Sequence, residues 1–310
     1  MISPTEELHW RTKGWIVPGC QIEDTETLLS DIKNYYTDKD IASDFGTEKD
    51  LMFPSRIDSI NKIATNKILI AMAGQLLNAA PRLIQMVAWA KKCTTDHDSL
   101  SNDDQRMHMD YGNNSFVHPP PFNNPNVASC ILYLSDTEET GGGTAIVPRN
   151  GPNDKWYTPP YVSMPGQAGY EFINNKQDAE IMMLYEGCDR SELYEREIIP
   201  EYDIGDVLWY RHDVWHRGTP VKPGKVRYVI NLAWTRADTP ILCWNMGFTQ
   251  QMYYGWLERF ITTLNPYQLY SLGFPHPQSS YWCRETIKGT EARYKCYGFD
   301  IKNYLKATII

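Results

Sequence analysis

The chain has 310 residues, of which 42% are hydrophobic and 22% charged, and its acidic residues outnumber the basic ones by 38 to 30. This composition excludes disordered, collagen-like and disulfide-scaffold proteins, and a chain of this length buries roughly three quarters of its unfolded surface without needing a structural metal. The net charge of −8 argues against a broad surface for nucleic acids or anionic membranes.

Cysteine usage and the N-terminal segment indicate the compartment. The seven cysteines are scattered, odd in number and contain no C-x-x-C pair, which is typical of free thiols in a reducing environment. The segment MISPTEELHW lacks the basic-then-apolar pattern of a signal peptide, and the apolar run 68–80 is too short to span a membrane. We therefore expect a soluble, cytoplasmic protein, and the sequence leaves its oligomeric state open.

The first hundred residues predict helices. One amphipathic helix is capped by Asp24 or Thr25, and its apolar stripe comprises Leu28, Leu29, Ile32, Tyr35 and Tyr36. A second helical region is predicted from Asp58 to Lys92, divided at Gly74 and Pro81. Its last apolar stripe comprises Leu83, Ile84, Val87 and Ala88.

From Met107 to Trp234 the pattern changes to short β-prone runs separated by Gly, Pro and Asn clusters. Several runs are apolar on both faces, which is typical of a sheet packed between a second sheet and a helical layer. The clearest predicted strands are Val127–Leu134, Thr144–Val147, Val207–Tyr210 and Arg227–Trp234.

Two further segments complete the predicted organisation. Residues 150–200, rich in proline and aromatic residues, predict a long ordered insertion of the kind that forms a lid or binding wall. Helix returns after Trp234, and its apolar positions are Met252, Trp256, Phe260 and Leu264. We predict one α+β domain over 1–310, with a helical lead-in (1–100), a β core (105–236) and a helical, aromatic-rich extension (237–310).

The segment His108-Met109-Asp110 is the one H-x-D in the sequence. Side chains two apart on a strand share a face, so this imidazole and carboxylate converge. Alone, the pattern equally describes a structural histidine. A second imidazole from a distant strand would complete a 2-His-1-carboxylate triad, which binds Fe(II) and leaves positions open for a cosubstrate and O₂.

The downstream segment 205–220 contains two histidines, His212 and His216, either of which can supply that imidazole. Arg227 follows His216 by eleven positions and opens the run RYVINLAW, where alternation places it on one face with Val229, Asn231 and Ala233. An inward guanidinium needs an anionic partner, and a dicarboxylate cosubstrate would provide one. The alternatives are a distant carboxylate of the chain or solvent at the end of the strand.

The motifs HMD, GGGTAIVP and GDVLWYRHDVWHRGTP, followed by Arg227, together resemble the phytanoyl-CoA dioxygenase (PhyH-like) family over about residues 10–240. The resemblance implies a double-stranded β-helix (jelly roll) flanked by N-terminal and C-terminal helices. It also implies Fe(II), 2-oxoglutarate and O₂ as cofactors, with ascorbate as a possible reductant. The implied reaction oxidises an unactivated C–H bond of a small metabolite or natural-product intermediate by hydroxylation, desaturation or ring closure, releasing succinate and CO₂.

Carried over by position, the iron ligands are His108, Asp110 and His216, because the H-R-G-T-P turn and the arginine spacing match the family only from His216. Arg227 then holds the distal carboxylate of 2-oxoglutarate. Thr219 is the candidate for a second hydrogen bond to it, although its register departs from the family pattern. Related halogenases replace the metal carboxylate with a small residue, so the presence of Asp110 disfavours halogenation.

The predicted substrate pocket consists of residues near these ligands in the sequence, and Arg211 or Arg236 is the candidate anchor for a carboxylated substrate. Two other classes stay open: a cupin-type metal enzyme that does not use 2-oxoglutarate, and a non-catalytic jelly-roll binding protein. Arg227 argues against the first and the complete triad against the second. The pocket residues are Tyr111, Asn113, Trp209, Arg211 and His212.

Overall fold

The computed structural model describes residues 1–37, 40–41, 51–53, 55, 57–93, 107–111, 118, 120–158, 191–238, 259, 261–266, 269 and 274–305. Asn113, most of the predicted insertion and the predicted helical positions Met252, Trp256 and Phe260 lie outside these residues.

The N-terminal part of the chain forms helices that pack on one face of a sheet. The predicted stripe of the second helix is confirmed, since Leu28 and Ile32 are buried. Asp24 precedes this helix with φ 59° and its side chain makes no capping hydrogen bond, so the predicted cap is wrong. The helices are α1 (Pro4–Lys13), α2 (Thr25–Tyr35), α3 (Asp58–Ala64) and α4 (Lys67–Leu77).

The second predicted helical region ends earlier than expected. The break falls at Asn66, whose side chain accepts the N–H groups that open α4, whereas Gly74 lies inside that helix. Residues Pro81–Lys92 form strand β3, so the predicted helix there is wrong. This segment pairs with β8 (Val226–Arg236) along its length, and both of its faces carry buried apolar residues. Its pattern therefore does not distinguish strand from helix.

Two antiparallel sheets form the core. The main sheet has six strands in the order β1-β6-β4-β8-β3-β2, and the smaller sheet pairs β5 with β7. Isolated bridges extend the smaller sheet, from His108 to His216 and from Ile198 to Ile146. The strands are β1 (Trp15–Ile16), β2 (Leu51–Met52), β3 (Pro81–Lys92), β4 (Val127–Tyr133), β5 (Thr144–Ile146), β6 (Val207–Arg211), β7 (His216–Gly218) and β8 (Val226–Arg236).

The two faces of the main sheet bury different clusters, as the alternation in β8 predicts. Ile230 and Trp234 pack with the helices, whereas Val229 packs with Ile146 of the smaller sheet. Tyr133 connects the sheets, because its hydroxyl donates to Thr144 Oγ1 at 2.7 Å. The α+β class is therefore confirmed, and the paired antiparallel sheets are consistent with a jelly-roll core.

The C-terminal part packs around a third apolar cluster that includes Phe274, Trp282 and Tyr304. Its main helix approaches His118 so closely at Gly289 that a Cβ there would overlap the imidazole ring. The remaining helices are Thr137–Thr140, Ser191–Arg196, Arg284–Tyr294 and Lys302–Leu305, with 3₁₀ turns at Lys155–Tyr157 and Lys295–Tyr297. In the described part of the chain, none of the helices has the length and hydrophobicity to cross a lipid bilayer.

Candidate metal centre

The smaller sheet brings the H-x-D segment next to β7. The backbone N–H of His108 donates to the carbonyl of His216 at 2.9 Å, and the reverse bond has the same length. Such a reciprocal pair places the two residues directly opposite each other on neighbouring strands. Their imidazole centroids lie 4.4 Å apart. Two histidines separated by more than a hundred positions are therefore adjacent because of backbone pairing.

Asp110 completes the cluster. Its Oδ1 lies 3.5 Å from His108 Nε2, and its Oδ2 lies 3.5 Å from His216 Nε2. One ligand atom from each of the three residues lies within 4.8 Å of the others, and no other group of this kind occurs among the described residues. The side chains of His108, Asp110 and His216 are 13, 17 and 6% exposed, so the cluster is largely buried.

Neighbouring groups prepare these side chains to bind a cation. His216 Nδ1 lies 2.9 Å from the carbonyl of Val214, which can only accept, so Nδ1 carries the proton and Nε2 keeps its lone pair. Burial alone would raise the pKa of Asp110, but His216, His108 and the Tyr210 hydroxyl hold that pKa well below its usual range. Asp110 is therefore ionised, as a metal ligand must be.

Arg227 lies on the inner face of β8 and is largely buried. Its Nη1 donates to the carbonyl of Gly142 at 2.5 Å, while its buried Nε has no hydrogen-bond partner among the described residues. No carboxylate within the described ranges forms a salt bridge with it. Burial lowers the pKa of Arg227 and the nearby Tyr133 partly offsets this, yet a guanidinium stays charged. The buried cation thus has donor capacity left for an anion.

Three of the predicted site residues have partners within the described part of the chain. The Thr219 hydroxyl donates to the carbonyl of Gly143 at 2.6 Å, so its proton is already engaged. Trp209 lies on the helix-facing side of the sheet and packs against Trp234, so it cannot line the predicted pocket. Arg211 is buried between Asp213 and the Phe122 ring rather than facing a pocket.

Tyr111 and His212, the other described residues of the predicted pocket, contact each other. The Tyr111 N–H donates to the His212 carbonyl at 2.9 Å, and the two rings meet edge to face at 6.4 Å. His212 is buried, which lowers the pKa of its imidazole, and it does not belong to the metal-binding group. Arg236, the other candidate anchor, pairs with Asp238 at the surface.

Several polar residues of the inner face were not assigned from the sequence. The Tyr210 hydroxyl donates to Asp110 Oδ2 at 2.7 Å, and burial followed by the Asp110 charge raises the pKa of Tyr210. Ser129 Oγ and Asn231 Oδ1 are buried and make no hydrogen bond in the described part of the chain. Lys91 lies opposite Arg227 in the strand register. Strand alternation alone would place Asn231 here, whereas Lys91 was hidden by the predicted helix.

Comparisons with known proteins give structural neighbours only. No protein-family model matches the chain, and no curated protein sequence matches it. EctD from S. alaskensis, solved with bound Fe, is 13% identical with a TM-score of 0.50, covering 79% of this chain and 80% of its own. The epimerase SnoN, in complex with Fe³⁺, alpha ketoglutarate and nogalamycin RO, is 14% identical with a TM-score of 0.49, covering 75% of this chain and 83% of its own. EvdMO1 is 13% identical with a TM-score of 0.49, and this chain spans 50% of its length. The similarity to EctD shows a shared fold.

Proposed function

We propose that this protein is an Fe(II)/2-oxoglutarate-dependent oxygenase of the PhyH-like kind, built on a double-stranded β-helix. The observation that carries the proposal is the combination of His108, Asp110 and His216 with Arg227, a cation on the inner face of the main sheet. Two imidazoles and one carboxylate are the donor set that non-haem iron oxygenases use. A dicarboxylate cosubstrate matches the unused donor capacity of Arg227.

Each candidate residue would have a separate role. His108, Asp110 and His216 would hold the iron, and Arg227 would bind the far carboxylate of 2-oxoglutarate. With O₂, these cofactors supply the oxidising power to attack an unactivated C–H bond, at the expense of 2-oxoglutarate, which is converted to succinate and CO₂. Apolar residues of the inner face, including Val229, exclude bulk water and so protect the reacting groups. Tyr111 and His212 would contact the substrate.

The proposed substrate is a small metabolite or natural-product intermediate, and the net charge of −8 supports a small molecule rather than a nucleic acid. Hydroxylation, desaturation, ring closure and epimerisation all begin at a C–H bond, so the donor set is compatible with each. SnoN belongs to nogalamycin biosynthesis as an epimerase, which makes epimerisation part of the range to be assayed.

An anaerobic titration tests this proposal. The purified protein is loaded with Fe(II) and then titrated with 2-oxoglutarate while the visible spectrum is recorded. A charge-transfer band that saturates with 2-oxoglutarate is the expected result. Metal binding without such a band would favour a cupin-type enzyme. If 2-oxoglutarate binds but no succinate is released across a metabolite panel once O₂ is admitted, the result would favour a non-catalytic protein.

The choice between His216 and His212 gives the first mutational prediction. His216→Ala removes a ligand of the cluster, so Fe(II) binding and 2-oxoglutarate-dependent succinate formation should be lost. His212→Ala should keep wild-type Fe(II) affinity, because His212 is outside the cluster. Isothermal titration under anaerobic conditions measures both variants. The reverse outcome would mean that His212 is the third ligand.

A further inference from the structure

The phenol of Tyr210 contacts two of the three candidate metal ligands. Its hydroxyl donates to Asp110 Oδ2 at 2.7 Å, and its ring centroid lies 4.7 Å from that of His216. Tyr210 belongs to β6 of the main sheet, whereas His216 belongs to the smaller sheet. One side chain therefore connects the metal-ligand cluster to the opposite sheet.

Only one of the two carboxylate oxygens of Asp110 accepts this hydrogen bond. Oδ2 accepts the phenol proton and lies 3.5 Å from His216 Nε2, while Oδ1 lies 3.5 Å from His108 Nε2. An O–H···O⁻ bond is charge-assisted and roughly twice as strong as a neutral one. This bond fixes the rotation of the carboxylate about its last torsion, which is otherwise broad.

The phenol is itself held firmly by the sheet. Tyr210 pairs in register with Trp15 of β1 and with Ser129 of β4, so strands flank it on both sides. Its side chain is 3% exposed. A one-residue slip of β6 would turn the phenol to the helical face, which makes its position depend on the register of the whole sheet. The hydroxyl is therefore a fixed reference for the Asp110 carboxylate, which lies outside the named strands.

We infer that Tyr210 is a positioning residue of the metal centre, which orients Asp110 so that Oδ1 faces His108 and Oδ2 faces His216, and which supports the His216 ring. This inference rests on the proposed metal site. Partners of this kind orient metal ligands, and their removal typically lowers metal affinity or activity by about 10- to 100-fold. Removal of the hydrogen bond also has an effect that would raise metal affinity, because the released carboxylate becomes a better electron donor. We expect the loss of affinity to be larger, because the released carboxylate is free to rotate.

The test is metal binding by Tyr210→Phe and Tyr210→Leu, measured on the full chain with Mn(II) and Co(II). Electron paramagnetic resonance of free Mn(II) gives the dissociation constant, and the visible bands of Co(II) report the coordination geometry. We expect Tyr210→Phe to weaken Mn(II) binding by about 10- to 100-fold and to change the Co(II) bands. Tyr210→Leu also removes the ring beside His216 and should weaken binding further.

Tyr36→Phe is the matched control, because its buried hydroxyl donates to the carbonyl of Ala88 on the helix-facing side of the sheet. It should bind Mn(II) as the wild type does, and thermal unfolding of the metal-free variants establishes that all are folded. Equal or tighter Mn(II) binding by both Tyr210 variants would overturn the inference. If the wild type binds Mn(II) but shows no 2-oxoglutarate-dependent charge-transfer band with Fe(II), that result would count against the proposed function and leave the role of Tyr210 intact.

Discussion

Arg211 of β6 and Arg227 of β8 carry the same charge on the two strands that flank β4, but their partners assign them different roles. The Arg211 guanidinium forms two 2.8 Å bonds with Asp213 and packs 3.6 Å from the Phe122 ring centroid. Arg227 has one backbone acceptor, Gly142, and no carboxylate among the residues described. The sequence predicted anion binding for both. The two arginines differ in the groups that they contact in the folded chain. Of these groups, only Asp213 is also close to its arginine in the sequence.

Arg227→Ala should raise the concentration of 2-oxoglutarate needed for half-maximal binding. Truncating one partner of a buried charge pair typically costs about 2–5 kcal/mol, and the lower figure corresponds to about a 30-fold weaker affinity. The charge-transfer titration measures this change, with Arg227→Lys expected to be intermediate because it keeps the charge but not the fork. Arg236→Ala, at the exposed end of the same strand, is the control. An unchanged requirement in Arg227→Ala would assign the cosubstrate to another cation.

At the scale of elements, strand β3 shows where local pattern fails. The apolar spacing in Pro81–Lys92 fits a helical stripe, yet the segment pairs with β8 in a sheet covered on both faces. Strand pairing is a long-range contact, so the periodicity of a short apolar run cannot predict it. Strands with clear Gly, Pro or Asn boundaries, such as β4 and β6, were predictable within a residue or so.

The close approach of the C-terminal helix to His118 predicts unequal effects of two helical glycines. Gly74→Ala in α4 meets only ordinary contacts and should be neutral or stabilising, since alanine is the better helix former by about 1 kcal/mol. Gly289→Ala should instead destabilise by about 1–3 kcal/mol, because its methyl group overlaps the His118 ring. Chemical denaturation measures both. Equal stabilisation by the two substitutions would mean that the helix does not dock on His118.

At the scale of the whole molecule, much of the site was predictable, because chemistry-bearing residues are rare. An H-x-D, a later histidine and an arginine eleven positions beyond are visible in the sequence. The fold brings His108, Asp110 and His216 together. The contacts of Thr219 with Gly143 and of Trp209 with Trp234 could not be predicted from the sequence, because each depends on which way the side chain points. The sequence did not assign Tyr210 either, because its partner Asp110 is a hundred positions away.

The buried pair of Arg211 and Asp213 should contribute strongly to global stability. Asp213→Ala leaves the guanidinium buried without its carboxylate, which typically costs about 3–5 kcal/mol. Arg236 and Asp238 have the same spacing and two similar bonds at the surface, so Asp238→Ala should leave the melting temperature unchanged. Equal melting temperatures for the two variants would show that burial does not strengthen the Arg211 pair.

The same pair predicts how stability depends on pH. Burial would raise the pKa of Asp213, but Arg211 holds it below its ordinary value. A carboxyl group with a lowered folded-state pKa contributes stability above its unfolded pKa of about 4, and this stability is lost as the pH falls further. Urea unfolding between pH 3 and 7 should therefore show a decline below about pH 4. The decline should be smaller in the Arg211→Met, Asp213→Leu double variant.

The reciprocal backbone bonds between His108 and His216 have a kinetic consequence. Because peptide groups rather than a cation hold the two ligands side by side, the site keeps its spacing when the metal dissociates. Rebinding then needs no search among loop conformations. Amide hydrogen exchange at these two residues should therefore be equally slow with and without the metal.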